Sequence, residues 1–393
     1  MSVSARSGAD SCPGLLRVHQ AADGGLARVR LPGGRLDAVA FAALADAAVE
    51  LGDGGLELTS RGNVQVRGLA AGAERELSGR LHAVGLLPSV THERVRNIVA
   101  SPLSGRDGRG LVDVRPLVGE LDAALCADAA LAELPGRVLF ALDDGRGDVI
   151  ALRPDIGLYA VASDLFALVV GGIDSGLRVS GGEGVAAMLG VAREFLRVRG
   201  GRWRVAELDD PVGLVAGVRG ESVELPAVAV RPPLGLVPQA DGRVALSGLV
   251  PLGRLDSAQL TGLRGVAELI VTPWRTVVVP DLTDVPHSLA GSYGLVAAPD
   301  STWAGLTACA GRPGCAKSLT DVRADAAAAR APGGGLAVHW TGCDRGCGRP
   351  AGRHVAVVAT PGGYEVRLGD EVRARPEDLT ATAAAVATTR RSE

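Results

Sequence analysis

Four of the six cysteines in this 393-residue chain lie between residues 309 and 347. They are spaced as Cys309 and Cys315 (C-x5-C), then 27 intervening residues, then Cys343 and Cys347 (C-x3-C). Two close pairs of thiolates supply the four ligands that an iron–sulfur cube requires, one at each iron corner. The glycines beside them, Gly311, Gly314, Gly342, Gly346 and Gly348, permit a tight backbone whose N–H groups can face the cluster sulfurs. Structural zinc is the competing reading, although zinc ribbons and fingers favour C-x2 to C-x4 pairs over a C-x5-C loop that opens a helix. Cys126, on the apolar side of a predicted helix with Leu121 and Leu125, reads as core, and Cys12 as part of a loose terminus.

Composition limits what else the chain can do. A formal net charge of -3 gives no global attraction for nucleic acid or an anionic membrane, so any anion must be met by locally gathered arginines. Lys317 is the only lysine. The chain start lacks a basic segment followed by an apolar run, and no stretch of eighteen apolar residues occurs; a cytoplasmic monomer with neither nucleic acid nor membrane as partner is expected. Clustered cysteines in a reducing compartment are more often a metal site than a disulfide framework. The six histidines are scattered without an H-x3-H or HExxH pair, so the ligands of a mononuclear non-haem iron cannot be assembled from sequence. His339 reads as a hydrogen-bonded core histidine, and Asp143 and Asp144 as loop residues.

The elements that must position these residues repeat. From about 24 to 88 the pattern runs strand (GGLARVRL), helix (Asp37 to Leu51), strand (LELTS), turn, strand (VQVRGL) and helix (about 72 to 84), a split β-α-β, ferredoxin-like unit. An echo follows at 240 to 282, where GRLDSAQLTGL matches GRLDAVAFAAL at 34 to 44 and VTPWRTVVVPDL matches LTSRGNVQVRGL at 58 to 69. Between the copies, helices are expected at about 118 to 133 and 183 to 197, with LPGRVLFALDDG, DVIALRP, IGLYAVAS and LFALVVGG as strands between them. After the second copy come a helix at Ala316 to Ala331, the strand GLAVHWTG, a hairpin (HVAVVAT, GGYEVRL) and a helix from about 376. Linkers are expected at 226 to 238 and 283 to 300, and loose ends at 1 to 14 and the last few residues. The predicted architecture is α+β. Two ferredoxin-like half-domains (15–90 and 226–290) are related by a pseudo-two-fold axis, with a bipartite α+β cluster domain formed by 91–225 and 291–390.

LTACAGRPGCAKS and HWTGCDRGCGRP resemble the C-x5-C and C-x3-C pairs of the siroheme-dependent sulfite and nitrite reductases and their relative precorrin-3B synthase. LTSRGNVQVRGL looks like that family's TTRQ-type strand motif, VRNIVASPLSG its V-R-N-x4-P-x2-G segment, LPGRVLFALDD its LP-x-K-F element, and VTPWR the second-half motif typical of the synthases. These matches run from about residue 24 to 370.

The resemblance implies a [4Fe-4S] cluster on Cys309, Cys315, Cys343 and Cys347, in a sulfite/nitrite reductase-like bipartite domain. It also implies ligand-binding cations: Arg61, Arg96 and Arg137 fall where the reductases carry basic residues around siroheme and its small anion, and Arg67 lies two residues beyond Gln65 on the same strand face. The fourth basic position falls on Leu139. A missing charge there argues against six-electron reduction of sulfite or nitrite, which needs dense positive charge. The synthase resemblance implies O2-dependent hydroxylation of precorrin-3A at C20 with γ-lactone formation, in aerobic cobalamin synthesis. The partners would be precorrin-3A, O2 and an electron donor such as ferredoxin or a reductase, with electrons from NADH. The cofactors would be the cluster and either a mononuclear non-haem iron or siroheme. Arg61, Arg67, Arg96 and Arg137 would hold the carboxylates of the tetrapyrrole. A siroheme-dependent reductase, and a non-catalytic electron carrier or tetrapyrrole-binding protein, remain as alternatives.

Overall fold

A computed structural model of the chain describes residues 12–391 apart from 216, 218, 219, 284–288, 332, 333 and 351. Most of the N-terminal segment and part of the 283–300 linker therefore lie outside the described residues. Among the described residues the strands form four five-stranded sheets, two to each half of the chain.

The first half-domain follows its sequence pattern closely. Asp37 caps the helix Ala38–Leu51 by accepting the Ala40 N–H at 2.8 Å, and Phe41, Leu44, Ala45 and Ala48 form its buried face. In the second copy Asp256 caps the shorter helix Ser257–Gly262 through the Gln259 N–H. The repeat extends to backbone signs. Gly33 and Gly34 (φ 64 and 73) answer to Leu252 and Gly253 (φ 52 and 72), Gly62 (φ 65) to Arg275 (φ 59), and Gly68 (φ 70) to Asp281 (φ 63). Left-handed backbone suits glycine, so three side chains in the second copy hold a conformation that costs them energy.

The two copies are interlocked. Strand Arg35–Asp37 leaves its own sheet to pair with Glu268–Val271 of the second, and Arg254–Leu255 returns the exchange by pairing with Leu56–Leu58 of the first. One hydrophobic core results, in which Leu36, Phe41 and Leu44 pack with Leu255, Leu260 and Leu269. Ion pairs stitch the exchange: Arg35 to Glu268, Arg254 to Asp53, and buried Arg106 to Glu268 and Asp281. The Pro-rich segment read as a linker ends in an edge strand, Gly235–Pro238, paired with Val244–Leu249.

The duplication reaches beyond the half-domains. Ile98–Ala100, Phe140–Asp143, Ile156–Ala162, Leu165–Val170 and Ile173–Val179 make a sheet whose first three strands are parallel and whose last two are antiparallel. Leu306–Ala308, Ala337–Thr341, His354–Thr360, Gly363–Leu368 and Glu371–Ala374 repeat that pattern. Each sheet has its own core, with helices Arg115–Ala127 and Gly181–Val198 on the first and Val322–Ala328 and Leu379–Arg390 on the second. No described helix is long and apolar enough to cross a membrane.

Two expected elements differ. Residues 316–321 are turns, and the helix spans only Val322–Ala328, because Asp321 caps it by accepting the Arg323 and Ala324 N–H groups. DVIALRP is a loop with a single 3-10 turn at Ile150–Leu152 instead of a strand. Asp143 folds this loop back by accepting the N–H groups of Gly145, Gly147 and Ile150. Asp148 accepts from Ser101 Oγ at 2.7 Å, but its Oδ2 has no hydrogen bond and only Arg146 at 3.9 Å.

Burial, and then the neighbouring Asp143, push the Asp148 carboxyl well above the usual carboxylate range. A folded pKa above the unfolded value near 3.9 means that this contribution is fully present below that value and lost as pH rises through the folded pKa. Asp148→Asn keeps the Ser101 bond and removes the charge. It should raise stability in urea by about 1 kcal/mol or more at pH 8 and by less at pH 5. A midpoint shift independent of pH would contradict this account.

Candidate functional site

Both cysteine loops leave the same edge of the last sheet. Leu306–Ala308 and Ala337–Thr341 are parallel neighbours, with Ala308 opposite Trp340, so their C-terminal ends deliver Cys309 and the Cys343 to Cys347 loop side by side. The Cys309 N–H donates to the Trp340 carbonyl at 2.9 Å, and Leu319 N–H to the Gly342 carbonyl at 2.9 Å. The Gly342 N–H points at Cys309 Sγ, 3.4 Å away. A Cβ on Gly342 would lie 1.7 Å from Ser318 Oγ, so only glycine lets the loops approach this closely. His339, fully buried, fixes the second loop: Nε2–H donates to the Cys347 carbonyl at 3.0 Å and Nδ1 meets Thr307 Oγ1 at 2.8 Å. Desolvation holds this imidazole neutral, with its pKa lowered to about 4.

None of the four cysteines is in a disulfide. Burial raises the Cys309 thiol pKa, and the nearby Cys347 and Cys315 sulfurs add to the rise. Four sulfurs on one zinc, with 2.3 Å bonds, would stand roughly 3.8 Å apart. Among the described residues no three Cys, His, Asp or Glu side chains converge closely enough for a single metal ion. The four thiols sit on two neighbouring loops, with the Gly342 N–H already aimed at Cys309 Sγ, a donor set of the kind that can hold a four-iron cube.

Against these loops opens a cavity of about 330 Å³ lined by Cys309, Cys347, Arg28, Gln65, Arg67, Arg275 and Arg323, with Thr59, Ser60 and Glu57. Arg28 and Gln65 are cross-strand partners whose side chains bond at 2.6 Å, and Gln65 donates to Glu57 at 3.1 Å. Glu57 also meets Arg323 at 2.6 Å and Arg67 at 3.7 Å. Four arginines face one carboxylate on this lining, so the cavity carries an excess of positive charge suited to an anionic ligand. The corresponding face of the second half-domain is closed: Ser247 and Val278 replace Arg28 and Gln65 in register, and Leu103 packs on Ala245, Ile270 and Val278.

The four arginines singled out from sequence are dispersed. Arg67 reaches the cavity but is bound bidentately to Asp23 at 3.0 Å and donates to the Gly314 carbonyl at 2.9 Å, tying the first half-domain to the first cysteine loop. Arg96 is 4 % exposed and spent on a bidentate pair with Asp122 at 2.7 Å and on the Leu86 carbonyl, leaving no face for a ligand. Arg61 and Arg137 meet: Arg61 Nη1 donates to the Arg137 carbonyl at 3.0 Å, while the Arg137 guanidinium lies over Trp203, 5.0 Å from the ring centre. Desolvation, and then Arg204, lower the Arg61 pKa to about 10. Buried Arg30 is lowered to about 9 by desolvation and by Arg28 and Arg61, so a band of cations runs from the cavity toward Arg204. Leu139 is buried among Val99, Ala141 and Val149, where a lysine would have no solvent.

Sequence reasoning missed Arg28, Glu57, Arg275 and Arg323. Alternation gave a usable signal for one of them, since Arg28 lies between buried Ala27 and Val29 in a strand. Arg323 and Arg275 enter from distant segments, and no local pattern marks them.

Known proteins share this fold and sequence. The nitrite/sulfite reductase ferredoxin-like half domain matches residues 19–84. Precorrin-3B synthase of a Sinorhizobium species is 30% identical over 94% of this chain and 85% of that protein. Ferredoxin–nitrite reductase of Synechococcus elongatus is 29% identical over 83% of this chain and 74% of that protein. In structure, the NirA protein of Mycobacterium tuberculosis superposes with a TM-score of 0.70 at 20% identity, covering 88% of this chain and 75% of that one, which shows a common fold. The chain belongs to the family of nitrite/sulfite reductases and precorrin-3B synthases.

Proposed function

We propose that this oxidoreductase holds a [4Fe-4S] cluster on Cys309, Cys315, Cys343 and Cys347 and hydroxylates precorrin-3A at C20, with γ-lactone formation, using O2 and a ferredoxin-type or reductase donor. The observation that carries the reading is the cavity beside the cysteine loops, in which four arginines face a single carboxylate. A tetrapyrrole rimmed with carboxylates matches that imbalance, because guanidinium groups bind carboxylates bidentately and stay charged when desolvated. The cluster would supply single electrons at the cavity wall.

The remaining work falls to the chain. Arg28 and Gln65 form one polar wall, and Glu57 spaces Arg67 from Arg323. Arg61 and Arg137 extend positive charge beyond the cavity, where further carboxylates of a large ligand would reach. His339 and Thr307 hold the Cys347 loop against movement. In the overall reaction one oxygen atom enters the product and the other leaves as water, with two electrons from the donor and two protons. Siroheme-dependent reduction of nitrite or sulfite suits the site less well, because apolar packing around Leu139 leaves no charge at that position.

The test is incubation of cluster-loaded protein with precorrin-3A, a reduced donor and 18O2, followed by mass spectrometry. One labelled oxygen atom in the tetrapyrrole is expected. Unchanged tetrapyrrole, together with nitrite- or sulfite-dependent oxidation of the donor, would refute the proposal.

A further inference from the structure

The turn before the last strand of each half-domain closes in the same way: the Thr59 N–H donates to the Asn63 carbonyl at 2.9 Å, and the Thr272 N–H to the Thr276 carbonyl at 2.9 Å. In the first turn the left-handed position is Gly62; in the second it is Arg275, at φ 59. Glycine is the unstrained solution and the chain uses it once, so an arginine in the same conformation is a cost that folding alone does not require. Its side chain adds to that cost. It lies so close to Gly253 that a Cβ there would be 2.5 Å from Arg275 Cδ, and its Nη2 is 3.6 Å from where a Gly348 Cβ would stand, next to Cys347.

The other cations on the cavity lining are engaged: Arg28 with Gln65, Arg67 with Asp23, Arg323 with Glu57. Among the described residues the Arg275 guanidinium has no hydrogen-bond or ion-pair partner, although it lines the same cavity. Strained backbone, partial desolvation and an unspent fork of N–H donors coincide at one residue. Backbone strain maintained at a cavity wall is the pattern of a residue kept for its ligand.

We propose that Arg275 anchors one peripheral carboxylate of the cavity's ligand, so that the second half-domain contributes a binding residue to a site otherwise built by the first half and the cysteine loops. This inference rests on the tetrapyrrole reading above. Arg275 acts by charge-assisted, bidentate contact, so lysine would replace it only in part.

The experiment measures binding of uroporphyrin III, an octacarboxylate tetrapyrrole, to the cluster-loaded full chain under anaerobic conditions, with Arg275→Met, Arg275→Lys and Arg275→Gly beside the parent. Arg275→Met should weaken binding about 10- to 100-fold, and Arg275→Lys by less. Arg275→Gly should weaken binding as much as Arg275→Met without lowering the melting temperature, because it releases the left-handed strain. Equal uroporphyrin binding by the parent and all three variants, with only the cluster's reduction potential altered, would overturn the assignment and leave Arg275 as a counter-charge to the cysteine thiolates. Failure of the parent itself to bind uroporphyrin would remove the tetrapyrrole reading, and this inference with it.

Discussion

Replacing Cys347 by serine is expected to strip the protein of its cluster and to lower turnover by more than about 100-fold, since losing even an outer-shell partner of a metal ligand commonly costs 10- to 100-fold. Cys347 is the most exposed of the four and its loop is fixed from behind by His339, so the substitution removes a ligand with little effect on packing. Cys126→Ser is the matched control. That thiol sits on the helix Arg115–Ala127, with its pKa raised by burial and by Asp122. Iron and sulfide should vanish from the first variant and stay at parent level in the second. Equal iron content in both would break the ligand assignment.

Arg67→Met should be the most damaging change away from the cysteines. Arg67 is 6 % exposed, and it joins Asp23, Glu57 and the Gly314 carbonyl of the first cysteine loop in one buried network. Removing the cation leaves Asp23 without its partner in a poorly solvated place, while Glu57 keeps Arg323, a loss of about 3 to 5 kcal/mol. Urea unfolding should show it, and the cluster should be released faster because Gly314 loses its tether. Adding Asp23→Leu should recover part of the stability, as expected when an uncompensated buried charge is the main penalty. A single variant as stable as the parent would mean that Arg67 binds ligand without holding the fold.

The half-domains were legible because their signals are local. The helix expected from Asp37 to Leu51 spans Ala38–Leu51, the strand read from VQVRGL spans Val64–Leu69, and the repeat surfaced as GRLD in both copies. The exchange of edge strands was not, because Arg35–Asp37 and Arg254–Leu255 are too short to carry a periodic pattern and their partners lie about two hundred residues away in sequence. DVIALRP looked like a strand by composition, but Asp143 offers its backbone N–H groups a better acceptor than a neighbouring strand would.

Spacing marked the four cysteines as a candidate metal site, with zinc still open, and the fold brings their two loops side by side. The surroundings of the arginines carried no such local signal. Arg96 was expected to bind ligand from its motif, yet Asp122, 26 residues on, holds it. Arg275 entered the site through a turn geometry that sequence shows only when the two copies are laid side by side.

The account's central claim is that the two cysteine loops together hold one four-iron cluster, and quantitative analysis of iron, acid-labile sulfide and zinc in anaerobically purified protein tests it most directly. About four irons and four sulfides per chain are predicted, without stoichiometric zinc. One zinc per chain and no sulfide would contradict it.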